Sequence, residues 1–271
     1  MKKVDLRKSL FILPNLFTLS SVLCGFYAIL IASAPGAVAD DFYRAALLII
    51  FAMFFDTIDG RVARLTKTQS AIGVQLDSLA DVVSFGVAPM VLVHRWSVGE
   101  LGTIGTLACF AYLACGVIRL ARFNVLTTAA SGAPKKPSKW ILGLPIPGAA
   151  GILISLVVAH TVARQTALGD HIGSPWLIFG VVVALAFLMV STIRFRSFKD
   201  IQLNVRTVSF VLLAIGSTIF VAMRFHVAFA LVWLLASYVA IALLETIVRV
   251  ARRVRGSSKE ESEADSEQSA A

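Results

Sequence analysis

Four aspartates between residues 51 and 90 are the side chains of this sequence best suited to chemistry, because the residues around them are mostly apolar. Asp56 and Asp59 lie three residues apart, so they share one face of a helix. Asp77 and Asp81 lie four apart and share a face in the same way. Buried carboxylates are costly in a membrane protein, and a converging set needs a counter-charge. Oxygen ligands suit Mg²⁺ or Mn²⁺, and such cations serve phosphoryl transfer by neutralising phosphate oxygens.

Two other interpretations of the aspartates stay open. The four acids could line a path for cations or protons, or they could pack between helices in a partly neutral state. Packing alone does not need four acids. Three small residues beside the acids favour a ligand site, because they let a bulky ligand approach the backbone closely. These residues are Gly60, Ala63 and Gly73.

Two helices must position the aspartates, and the polar segment from Arg61 to Ser70 is the turn between them. Gly73 lies four residues before Asp77, on the stripe of the second helix that also carries Asp81. We therefore expect a helical hairpin in which all four carboxylates face one another.

The aspartates are part of a longer pattern, Asp56-x2-Asp59-Gly60-x2-Ala63-Arg64-x8-Gly73-x3-Asp77-x3-Asp81. The pattern resembles the signature of the CDP-alcohol phosphotransferases at all of its positions. The resemblance implies an integral membrane enzyme that cleaves the pyrophosphate of a CDP-linked lipid, releases CMP and joins the phosphatidyl group to an alcohol. It implies one or two divalent metal ions on the four aspartates, with two the expected number, and Asp81 as the general base. It also implies that Gly60, Ala63 and Gly73 border the nucleotide and that Arg64 contacts phosphate or orders the turn.

Three further segments bear on the identity of the alcohol. They are residues 14–26, the run Arg119-Leu-Ala-Arg-Phe-Asn124 and the run Gly143-Leu-Pro-Ile-Pro147. Together they are similar to membrane-embedded phosphatidylserine synthases over most of residues 11–200, which implies CDP-diacylglycerol and L-serine as substrates and a homodimer. Glycerol 3-phosphate and inositol phosphate remain alternative acceptors.

Serine carries a carboxylate, for which arginine is the best side-chain ligand. We expect the acceptor to be bound by residues at the ends of the fourth and sixth spans, namely Arg119, Arg122, Asn124 and Arg194. Anchoring of helix ends is the competing role of these arginines. Asn15 and Thr18 lie three apart in the first span, and we expect them to bond a phosphate or an acid ligand, with capping of that span as the alternative.

Composition places these residues in a polytopic, all-α membrane protein, because 58% of the residues are hydrophobic and the mean hydropathy is +0.83. Three cysteines and four histidines show no metal-binding spacing. We predict one catalytic domain over residues 1–255 and a disordered acidic tail over residues 256–271. About eight spans are expected, at Asn15–Ser33, from Phe42 into the first aspartate pair, and at Ala71–Val93, Leu101–Leu120, Ile141–Val162, Pro175–Ile193, Thr207–Met223 and Ala228–Val248.

The basic residues predict the orientation of these spans. With eight spans, 21 of the 25 Lys and Arg fall on the side of both termini and the aspartate turn. The exceptions are Arg44, Arg95, Arg164 and Arg224. By the positive-inside rule, the termini and the site are cytoplasmic, and we expect the inner membrane of a bacterium. The net charge of +9 is thus explained by topology and by attraction to anionic membrane lipids, and no nucleic-acid partner is expected.

Overall fold

The fold of this chain is taken from a computed structural model. It describes residues 6–66, 68, 70–127, 140–164 and 171–196, together with separate helical positions at 216–218, 223, 229, 230, 232–234, 236, 237 and 240. The predicted seventh and eighth spans and the acidic tail lie largely or wholly outside these residues. The all-α prediction is confirmed, and the number of spans stays a prediction.

Seven α-helices form the bundle among the described residues. They are α1 (Leu6–Ser33), α2 (Ala39–Leu65), α3 (Ala71–Asp81), α4 (Ala88–Trp96), α5 (Thr103–Thr127), α6 (Ile146–Ala163) and α7 (Pro175–Val190). A π-helical segment, Val82–Val87, joins α3 to α4, and a 3₁₀ turn, Val98–Leu101, precedes α5. Two short strands, β1 (Trp140–Leu142) and β2 (Arg194–Arg196), pair in antiparallel fashion.

Four helical stretches are long and apolar enough to cross a membrane, namely Leu13–Ser33, Ala71–Trp96, Thr103–Leu126 and Ile146–Ala163. The apolar helix Pro175–Val190 is shorter. Large apolar side chains on α1, among them Leu16, Leu23 and Leu30, are exposed on the outside of the bundle, as expected of a surface that meets lipid. The chain is therefore an integral membrane protein.

Several sequence-based boundaries differ from the structure. Residues 61–65 continue α2, so the turn before α3 is shorter than predicted. The fifth span begins at Ile146 rather than Ile141, because Trp140–Leu142 form a strand and Pro145 precedes the first helical residue. Arg194, which we expected at the end of the sixth span, lies in a strand opposite Leu142 beyond the end of α7.

The core lies where α2, α4, α5, α6 and α7 meet. Its largest fully buried side chains include Ile49, Leu92, Tyr112, Ile154 and Met189. Several close approaches hold the helices together: a β-carbon at Gly25 of α1 would lie only 2.8 Å from the Cα atom of Ser84 in the π segment. Tight packing of this kind fixes the rotation of α3 and α4 about their common axis, and so the direction of the aspartates.

Candidate active site

The centre of the site is a group of three carboxylates. Asp56 and Asp59 from α2 and Asp77 from α3 each offer an oxygen atom, and these atoms lie within 4.8 Å of one another. The turn after Leu65 brings the two helices together, and the spacing of the pair in α2 turns both of its acids toward α3. Like charges at this separation repel one another, and Asp59 is buried, so the arrangement suits a cation.

Asp81 stands beside this group rather than in it. Its carboxyl group is within hydrogen-bonding reach of Asp56, and the guanidinium of Arg119 acts on it electrostatically. Its Oδ1 atom is buried and has no hydrogen-bond partner among the described residues. A buried acceptor without a donor is costly, which indicates that a ligand group belongs next to Asp81. Three acids thus offer oxygen atoms that could share a cation, while the fourth lies beside them under the electrostatic influence of Arg119.

Thr18 takes part in the acid cluster. Its Oγ1 donates a hydrogen bond to Asp59 Oδ2 at 2.6 Å, and its side chain is 4% exposed. The capping alternative for Asn15 and Thr18 is wrong, since α1 begins at Leu6, well before either residue. Asn15 points toward α3: a β-carbon at Gly73 would lie 3.7 Å from Asn15 Oδ1.

The small residues and Arg64 line the rim of the cluster. The Arg64 guanidinium lies over Gly60, at 3.5 Å from the position of a β-carbon there, and interacts electrostatically with Asp59. Ala63 lies on the same turn of α2, and Arg64 is exposed. A cation at this rim can meet a phosphate that approaches the acids.

The predicted acceptor-binding residues separate into distinct environments. Arg119 is 6% exposed and lies 5.7 Å from the ring centre of Phe123. Asn124 Nδ2 donates to Ser78 Oγ at 2.8 Å, so Asn124 contacts α3 one residue after Asp77.

Arg122 instead faces the end of α7. Its Nη1 donates to the carbonyl of Val190 at 3.0 Å and its Nη2 to that of Ser191 at 3.2 Å. These bonds satisfy carbonyls at a helix C-terminus and favour the anchoring alternative for Arg122. The backbone of Arg194 pairs with Leu142 in the ladder that follows α7.

Two residues next to the aspartates were not predicted from the sequence. Ser70 caps α3, since its Oγ accepts from the amide of Gly73 at 3.0 Å. A serine directly before a helix is a recognised capping signal, so Ser70 was within reach of sequence reasoning. Ser78, the partner of Asn124, carries no such signal, because only the packing of α5 on α3 brings the two together.

Comparison with known proteins gives consistent matches. A model of the CDP-alcohol phosphatidyltransferases matches residues 11–263, which include all four aspartates. The chain is similar to the CDP-diacylglycerol–serine O-phosphatidyltransferase of Helicobacter pylori J99, with 37% identity over 208 residues, 75% of this chain and 80% of the relative. The Bacillus subtilis protein of the same name is 33% identical over 187 residues, 69% of this chain and 91% of the relative. An archaetidylserine synthase of Methanothermobacter thermautotrophicus is 32% identical over 185 residues, which are 68% of this chain and 69% of the relative.

Proposed function

This chain belongs to the CDP-alcohol phosphatidyltransferase family, and from that premise we propose that it transfers the phosphatidyl group of CDP-diacylglycerol to the hydroxyl of L-serine and releases CMP. The observation that carries the proposal is the convergence of Asp56, Asp59 and Asp77, with Asp81 beside them. Bacterial and archaeal relatives that are named for transfer to serine support this acceptor.

The donor set of the site fits a hard divalent cation, because three carboxylates offer oxygen atoms that lie within 4.8 Å of one another. We propose Mg²⁺ or Mn²⁺, two ions in number, on Asp56, Asp59 and Asp77, with Asp81 as the most weakly held ligand. Bound there, the cations supply positive charge to the pyrophosphate oxygens as CMP leaves. Thr18 fixes the direction of the Asp59 carboxylate through its hydrogen bond.

The reaction is a direct displacement at the phosphorus of the phosphatidyl group. Asp81 takes the proton of the serine hydroxyl, the serine oxygen forms a bond to that phosphorus, and the bond to the bridging pyrophosphate oxygen breaks to release CMP. Arg119, whose charge acts on Asp81, would bind the serine carboxylate close to this base. Arg64 at the rim meets the phosphates, and Gly60, Ala63 and Gly73 leave room for the nucleotide.

We propose that the site faces the cytoplasm of a bacterium, at its inner membrane, and that the enzyme is a homodimer. The asymmetry of the basic residues supports the orientation. The family resemblance supports the dimer.

The test is CMP release by the detergent-purified protein from CDP-diacylglycerol, with Mn²⁺ or Mg²⁺ and with serine, glycerol 3-phosphate or inositol phosphate as acceptor. Release that depends on serine, with phosphatidylserine as the lipid product, is the expected result. Release with another alcohol only would retain the chemistry of the aspartates and overturn the acceptor. No release with any alcohol, from folded protein with metal present, would favour the cation or proton path.

A further inference from the structure

The π segment directly after Asp81 has no role in the reaction described so far. It contains six residues, Val82–Val87, and Asp81 is the residue that precedes it. A π turn takes in one more residue than an α turn, so it rotates what lies before it relative to what lies after it. π segments inside α-helices are uncommon and often occur at functional sites. The direction of the Asp81 side chain therefore depends on how this segment is held.

Tyr112 of α5 holds the π segment from one side. Its hydroxyl donates to the backbone carbonyl of Phe85 at 3.4 Å, and both side chains are fully buried. Pro89, four residues after Phe85, has no amide hydrogen, so it cannot make the α-helical bond to that carbonyl. The Tyr112 hydroxyl thus bonds a carbonyl to which residue 89 cannot donate.

Helix α1 holds the segment from the other side. Ser84 Oγ donates to the carbonyl of Ser21 at 3.0 Å, and Ser21 Oγ donates to Ser84 Oγ at 3.3 Å. Both serines are buried, and Gly25 leaves no room for a β-carbon against Ser84. The segment is therefore fixed between α1 and α5 with little freedom to rotate.

Tyr112 and Arg119 share one face of α5, because they lie seven residues, about two turns, apart. Arg119 acts on Asp81 itself, and Tyr112 bonds Phe85, four residues farther along the same continuous helix. One face of α5 thus bonds the helix one turn beyond the aspartate and carries the arginine whose charge acts on the aspartate. The contact at Tyr112 sets the rotation at which Asp81 lies between Asp56 and Arg119.

We propose that Tyr112 is a positioning residue for the transfer reaction, which acts through the Phe85 carbonyl and the π segment to aim Asp81. It touches neither substrate. This inference rests on the proposed function, because it assigns Tyr112 to the same site and the same step.

The test compares Tyr112→Phe with two controls in the full-length, detergent-purified protein. Tyr27→Phe removes the same hydroxyl from an exposed tyrosine of α1. Ser97→Ala removes another buried hydroxyl that donates to a backbone carbonyl, that of Gly173 at 3.0 Å, far from the aspartates along the chain. Measured quantities are kcat, KM for CDP-diacylglycerol and for the acceptor, and Tm.

We expect Tyr112→Phe to lower kcat about five- to tenfold, because this is the change in rate that corresponds to the net free energy of one hydrogen bond. Both KM values should stay within about twofold of the wild type. Tyr27→Phe leaves kcat unchanged. Ser97→Ala lowers Tm without lowering kcat. Ser84→Ala, which loosens the same segment from the side of α1, lowers kcat in the same way as Tyr112→Phe and provides a second variant if the tyrosine variant does not fold.

Three outcomes would overturn the inference. The first is an unchanged kcat in both Tyr112→Phe and Ser84→Ala. The second is a raised KM for one substrate at constant kcat, which would mean that the hydroxyl contacts a ligand. The third is a loss of kcat no larger than that of Ser97→Ala at an equal loss of Tm. If the wild type releases CMP only with another alcohol, the acceptor proposal fails, and the same comparison is made with that alcohol.

Discussion

At one end of the bundle, acidic side chains lie next to other acidic side chains. At the other end, hydrogen-bond donors are paired with acceptors. The first end, which we call the site end, holds the aspartates of α2 and α3. The second, the opposite end, holds three matched pairs. Trp96 Nε1 donates to His160 Nδ1 at 3.2 Å, and Ser97 Oγ donates to the carbonyl of Gly173 at 3.0 Å. His94 Nε2 and Thr106 Oγ1 are hydrogen-bonded at 3.1 Å.

The difference between the two ends separates function from support. Hydrogen bonds at the opposite end pair exposed or half-buried donors and acceptors within the protein. The site end is incomplete by itself, because three carboxylates meet without a matching positive charge in their midst and Asp81 Oδ1 has no hydrogen-bond donor among the described residues. Such an arrangement is stabilised by a bound cation or by a proton on one of the acids. Substitutions at the site end should therefore mainly lower activity, and substitutions at the opposite end should mainly lower stability.

The largest effect is expected at the three-carboxylate group. Asp56→Asn should abolish serine-dependent CMP release, by about a thousandfold or more, because it removes a ligand charge where phosphate charge must be offset. Its Tm without metal should be equal to or above that of the wild type, since one like-charge repulsion is gone. Asp40→Asn, in the first turn of the same helix, is the matched control and should be fully active. Substantial turnover by Asp56→Asn would refute the metal assignment.

A smaller and different loss is expected at the fourth acid. Asp81→Asn should lower kcat about a hundredfold or more, the usual size of a general-base contribution. Mn²⁺ should still raise its Tm, because the group of three remains intact, whereas Asp56→Asn should lose most of that rise. Metal titrations followed by thermal unfolding distinguish the two variants. If Asp81→Asn keeps nearly full activity, another residue is the base.

Two arginines of α5 sharpen the comparison within a single helix. Arg119→Lys should lower kcat/KM for serine about tenfold or more, because lysine cannot make a bidentate contact with a carboxylate. Arg122→Lys should mainly lower the stability, by about 1–3 kcal/mol, since it loses bonds to the carbonyls of Val190 and Ser191. Steady-state kinetics and Tm of both variants provide the check. A larger kinetic effect at Arg122 would reverse the two assignments.

The smallest effect on activity is expected at the opposite end. Trp96→Phe retains an aromatic ring beside His160 but loses the indole donor. The free energy of unfolding should fall by about 1–2 kcal/mol, with kcat and both KM values unchanged. A marked loss of kcat at equal stability would show that the two ends are coupled and that the opposite end does more than support the fold.

The parts of the site that follow from helical periodicity were predictable from the sequence. A spacing of three or four residues places Asp56 with Asp59 and Asp77 with Asp81 whatever the neighbours are, and the structure brings three of these acids together. Residue class and spacing also predicted the all-α fold and the approximate positions of the first six spans, the third of which is divided into α3, the π segment and α4. The roles of the individual residues remain predictions.

The remaining features depend on contacts between distant parts of the chain. Thr18 and Asp59 are hydrogen-bonded although they lie 41 residues apart in the sequence, and Tyr112 and Phe85 although they lie 27 apart. No local sequence pattern predicts either bond. Arg122 looked like a ligand-binding residue because it stands in the same short run as Arg119, and only the position of α7 shows the other role. The strands β1 and β2 are three residues each and lie in basic, loop-like sequence, too short for an alternating pattern to appear.

The ladder between β1 and β2 has a consequence for how the protein is made. Its bonds, with that from the Gly143 amide to the Ile193 carbonyl at 2.9 Å, join the chain just before α6 to the chain just after α7. Residues 140–196 therefore form a loop that is closed by backbone bonds at its two ends. The ladder can form only after Arg196 has left the ribosome, so this loop is secured late in translation, when α1 to α5 have already been synthesised.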